Sequence, residues 1–92
     1  MRPETEYEEE QTLEMRVTRR ARIASYLLSL DAEVTAEGRF RGPGWEIELS
    51  EEQAVPFGAF TLPATFVTIR CRRGLLQQVI DSLRRKFMAY GA

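Results

Sequence analysis

The residue best placed for covalent chemistry is Cys71, the single cysteine of the chain. It closes the apolar run Phe66-Val67-Thr68-Ile69-Arg70-Cys71 and stands among Arg70, Arg72 and Arg73, just before a helix-forming segment. Positive charge and a helix N-terminus both stabilise a thiolate, so a nucleophile could be activated here. The same alternation puts Cys71 in phase with Val67 and Ile69, on an apolar face. Free cysteine is among the most buried residue types, and the sequence therefore predicts an inert core thiol.

Other chemistries lack their parts. There is no histidine, so no imidazole base, Ser-His or Cys-His pair, or imidazole metal ligand can be assembled. One cysteine excludes a thiolate zinc site and an internal disulfide. Glu8-Glu9-Glu10 and Glu51-Glu52 are exposed acids without the spacing of a rigid carboxylate pair. Gly38, Gly42 and Gly44 precede a strand, whereas a phosphate-cradling loop must open a helix. The expectation is a protein that is not an enzyme and carries no metal and no cofactor.

The arginines carry the functional lead. The chain has 13 basic residues, all arginine but Lys86. Several fall where elements begin or turn: Arg19, Arg20 and Arg22 before and within one amphipathic stretch, Arg39 and Arg41 beside Gly42-Pro43-Gly44, and Arg72 and Arg73 before another. An arginine-rich composition with no asparagine points to a GC-rich, thermophilic source, although Lys and Glu enrichment is the commoner thermophile signal.

The elements that must position them are legible from periodicity. Thr12 to Val17 alternates as a half-buried strand. Thr18 suits an N-cap for a helix over Arg19 to Leu30, whose apolar face is Ile23, Leu27 and Leu30 with Tyr26 beside it. Val34 to Phe40 alternates again, Gly42-Pro43-Gly44 turns, and Trp45, Ile47 and Leu49 form the returning strand. Glu51 to Gly58 reads as a loop. Phe60 to Cys71 is a strand interrupted or bulged at Pro63, or else two strands. Leu75, Leu76, Val79, Ile80, Leu83 and Phe87 then mark a strongly amphipathic helix that stops near Gly91.

The order β-α-β-β-β-α predicts a small α+β domain with a mainly antiparallel sheet and both helices on one face. Its core should hold Ile23, Leu27, Leu30, Trp45, Ile47, Leu49, Val67, Ile69, Leu76, Val79, Ile80 and Leu83. A right-handed crossover through the first helix would make the second strand parallel to the first, and the last strand would then also run with the first. Both helices would begin at one pole, gathering Arg19, Arg20, Arg22, Arg39, Arg41, Arg72 and Arg73 into an anion-binding end.

Bulk properties bound the rest. Ninety-two residues make one domain, with an expected radius of gyration of about 12 Å. The net charge of −1 hides an acidic start. Residues 1–10 read as a solvated arm, or one that docks on basic surface, ahead of a domain over 11–92. No apolar run is long enough to span a membrane, no basic-then-apolar leader is present, and the expected location is cytoplasmic. The outward sheet residues Glu14, Arg16, Glu37, Arg39, Glu46, Glu48, Thr68 and Arg70 resemble cross-strand charge pairing, with Phe66 the single ring among them. The reading is a small non-enzymatic interaction module that self-associates as a homo-oligomer. The alternative is an anion-binding domain for nucleic acid or a phosphorylated ligand at the arginine pole.

Overall fold

A computed structural model describes residues 7–16 and 18–87. The chain runs β1 (Glu9–Arg16), α1 (Arg20–Ser29), β2 (Glu33–Ala36), β3 (Arg39–Gly42), β4 (Trp45–Leu49), β5 (Gln53–Phe57), β6 (Phe60–Cys71) and α2 (Leu76–Phe87). The six strands form one sheet in the order β1-β6-β4-β3-β2, with β5 pairing the first part of β6, and every pairing is antiparallel.

The α+β class and the two-helix layer are as the periodicity predicts. One face of the sheet supplies Met15, Phe40, Ile47, Leu49, Val67, Ile69 and Cys71 to the same core cluster as Ile23 and Leu27 of α1 and Ile80 and Leu83 of α2. Both helices therefore cover that one face. They touch each other through Tyr26 and Phe87, whose rings meet edge to face at 5.5 Å. Eight of the expected core residues are buried, and Trp45, Leu76 and Val79 pack against them half-buried. Leu30 is 43% exposed, because α1 ends at Ser29 and the next residue no longer follows its apolar face.

The strand order needs two corrections. Val34 to Phe40 is not one strand: Glu37 and Gly38 turn the chain, pairing Val34 with Phe40. Gly38 has φ +76°, and its carbonyl accepts the Leu49 amide at 2.8 Å. The segment read as a loop after Glu51 contains β5. The extra reversal at Gly38 inverts every later strand relative to the expected topology. Consequently β6 runs antiparallel to β1, and α1 and α2 start at opposite ends of the sheet.

Phe60 to Cys71 is a single strand, continuous through Pro63. The two-residue turn at Gly58-Ala59, with φ +62° at Gly58, has the II′ form that suits a hairpin. Phe57 and Phe60 close that turn, and paired positions alternate from there between hydrogen-bonded and non-hydrogen-bonded. Pro56 opposite Thr61, and Pro63 opposite Ala54, both fall on non-hydrogen-bonded sites. Their missing N–H groups point away from the hairpin, so neither proline interrupts the ladder. The 12 residues of β6 span roughly 40 Å at about 3.3 Å per residue, in a molecule with a 49 Å long axis and a radius of gyration of 13.6 Å. Both exceed what a sphere of this length would give.

One expected helix end also changes. Arg19, not Thr18, occupies the N-cap of α1, without a side-chain cap. The expected stop of the last helix near Gly91 lies outside the described residues, as do Val17 and residues 1–6 of the acidic start. Glu9 and Glu10 belong to β1, so the sheet begins before the expected boundary at residue 11.

Candidate interaction surfaces

Each predicted arginine has a definite place, and they do not share one pole. Arg20 is a tie between elements: its Nε donates to the Ser50 carbonyl at 2.7 Å and its Nη2 to Glu37 at 3.2 Å. Arg19 meets Glu52 at 2.8 Å. Arg39 lies on the open face against Glu48 at 3.3 Å. Arg41 stands opposite Glu46 in the β3–β4 register. Arg72 and Arg73 sit at the far end, where β6 finishes beside the start of β1. Arg19, Arg20 and Arg22 remain together at the start of α1, while the turn beside Arg41 stays at the far end with Arg72, whose amide donates to the Gly44 carbonyl at 2.9 Å. The expected cluster of seven rested on β1 and β6 ending together, and their antiparallel pairing separates them.

The backbone N–H groups just ahead of α2 already have an anion. The Arg73 amide donates to Glu8 Oε1 at 3.2 Å, and the Gly74 amide to Glu9 Oε1 at 3.3 Å. The Arg73 guanidinium approaches Glu8 at 3.6 Å. Carboxylates at this end favour the helix dipole. Glu8 and Glu9 thus contact the chain's own basic turn.

Cys71 is fully buried. Burial pushes its thiol pKa above the ordinary value of 9.0, and the charge of Glu9, its register partner on β1, pushes it further. A thiolate is disfavoured here despite the neighbouring arginines, whose side chains on β6 and in the turn face solvent. Among the described residues no group of three or more His, Cys, Asp or Glu could hold a metal ion. No helix among them is long and apolar enough to cross a membrane.

The open sheet face is a charge ladder. Glu10 of β1 meets Arg70 of β6 at 3.4 Å, Arg70 meets Glu48 of β4 at 3.5 Å, and Glu48 meets Arg39 of β3 at 3.3 Å. Thr12 and Thr68 share a hydrogen bond at 3.0 Å alongside. Alternating signs across four strands leave no continuous positive stripe for a phosphate backbone. Exposed pairs of this kind each contribute about 0.2–1 kcal/mol.

A different surface escaped the sequence reading. Residues 53–69 form seventeen consecutive positions without Asp, Glu, Lys or Arg, in a chain that is 29% charged. Their first half is the β5–β6 hairpin. Phe57 pairs with Phe60 and Val55 with Leu62, and directly opposed residues share a face. Phe57 and Phe60 are 57% and 73% exposed. The β4-to-β5 passage carries one residue more than the facing part of β6, since Leu49 pairs Val67 but Gln53 pairs Ala64. Such an insertion bends a ladder. It is pinned by Ser50, whose hydroxyl accepts the Phe66 amide at 2.9 Å. The absence of charge is the readable signal, hidden because Gly58 and Pro56 give residues 51–58 the composition of a loop.

Comparison with curated proteins gives no match. The family described as archaeal MoaD-like protein matches residues 11–92, nearly the whole described fold. The chain belongs to the archaeal MoaD-like protein family.

Proposed function

We propose that this protein is a non-enzymatic interaction module that self-associates through the β5–β6 hairpin. The observation that carries the reading is the charge-free hairpin with Phe57 and Phe60 exposed on one face. An uncharged apolar face calls for an uncharged apolar partner surface. Its prolines also decide how it docks. Pro56 blunts the outer edge of β5, and Pro63 blunts β6 where β1 has ended at Ala64. Backbone addition of a strand is therefore disfavoured, and side chains make the contact.

The occupant is a second copy of the hairpin. The other exposed apolar group, Leu28, Leu30 and Val34, belongs to the end of α1 and β2. Docking the hairpin there would be heterologous and would give a ring or an open filament in place of a dimer. Hairpin against hairpin is isologous and closes as a two-fold dimer. Two exposed rings, at about 200 Å² each when fully accessible, bury a few hundred Å² per copy with their neighbours. That is below the ~1,600 Å² of a standard stable interface, so the dimer should dissociate on dilution.

Sedimentation equilibrium from micromolar to millimolar concentration tests this. The mass should rise from the 10.6 kDa monomer towards twice that value, and the double variant Phe57→Ser, Phe60→Ser should stay monomeric. A wild-type chain that remains monomeric throughout would overturn the proposal, as would filaments.

A further inference from the structure

The antiparallel helices bring together a second group of cations that the sequence kept far apart. One side of α1, along its whole length, and the last turn of α2 border an open cleft of about 360 Å³, lined by Ala21, Arg22, Ser25, Tyr26, Ser29, Lys86 and Phe87. Ala21, Ser25 and Ser29 follow one another at four-residue spacing and make a floor of small side chains. Arg22 and Tyr26 share the neighbouring row of α1. Lys86 Nζ lies 5.8 Å from the centre of the Tyr26 ring, and Phe87 packs against that ring's edge. Both cations therefore flank Tyr26. Among the described residues no acid lines the cleft.

We infer that this cleft binds a small phosphomonoester bearing an aromatic group. Arg22 offers a planar fork of donors for a phosphate and Lys86 a compact charge. The hydroxyls of Ser25 and Tyr26 complete a polar side, while Tyr26 and Phe87 supply ring surface for the ester's organic part. The volume is at the small end of ligand pockets, which run from about 300 Å³. A ligand of a phosphate plus one ring suits a cleft of this size. The site is independent of the hairpin and does not require association. The acids that pair other arginines, Glu14 with Arg16, Glu52 with Arg19 and Glu37 with Arg20, are not part of it.

Phenyl phosphate, inorganic phosphate and phenol are the probes, titrated into the full chain at low salt with amide NMR shifts as the readout. Phenyl phosphate should bind saturably, with shifts concentrated at residues 21–29 and 86–87, and about tenfold more tightly than either fragment. Arg22→Gln and Lys86→Gln should each weaken it about tenfold, while circular dichroism remains that of the wild type because both side chains are exposed. Equal affinity for inorganic phosphate, shifts centred elsewhere, or unchanged binding in both variants would overturn the assignment.

Discussion

Single residues show how burial outranks local charge. Cys71 is ringed in sequence by arginines, yet its side chain turns inward and its pKa is raised. A raised folded pKa favours the protonated thiol. The resulting stabilisation is complete below the unfolded pKa near 9.0 and fades as pH climbs above it. Denaturant titrations from pH 7 to 10.5 should show stability falling above about 9, and a Cys71→Ala variant should lose that part of the slope. Thr65 is the opposite case: it is fully buried and its hydroxyl has no hydrogen-bond partner. Thr65→Val keeps the shape and removes the unpaired oxygen, so urea unfolding should show a gain of about 1 kcal/mol. Leu83, 1% exposed, anchors α2 to the sheet, and Leu83→Ala should cost about 2–5 kcal/mol in the same assay.

At the scale of elements, periodicity was legible and reversals were not. The apolar rhythms of Ile23–Leu27 and Val79–Ile80–Leu83 are strong because a helix buries one stripe. The alternation of Trp45, Ile47 and Leu49 is strong because a sheet buries one face. Gly38 hid its turn by standing in phase with Val34, Ala36 and Phe40, so a hairpin looked like one strand. Glu-Gly also lacks the Asn or Asp that usually announces such a turn. That one unread reversal splits the predicted arginine pole into two ends and brings Arg22 and Lys86 to one cleft. Gly38 itself is firmly held. An added Cβ would lie 2.6 Å from Arg20 Nη2 and 3.1 Å from the Leu49 carbonyl, at φ +76°. Gly38→Ala should therefore cost about 1–3 kcal/mol, visible as a lower thermal midpoint. The turn before α2 depends on carboxylates instead. Replacing Glu8 and Glu9 together by Gln should cost about 0.3–1 kcal/mol each at low salt, with the loss shrinking as salt rises.

Across the whole molecule, charge is distributed so that one projecting element carries none. The open face neutralises itself through Glu10, Arg70, Glu48 and Arg39, and Glu8 and Glu9 are engaged with the Arg73 turn. That leaves the β5–β6 hairpin as the surface with the most to gain from leaving water. Its hydrophobic contact should persist at high salt, where association through the arginines would weaken. The most direct test is the concentration dependence of backbone amide shifts from about 20 µM to 1 mM, a range set to cross the dissociation expected for so small an interface. The account predicts progressive shifts confined to residues 53–62, abolished in the Phe57→Ser, Phe60→Ser variant. Shifts centred on Glu10, Arg39, Glu48 and Arg70, or none anywhere, would contradict it.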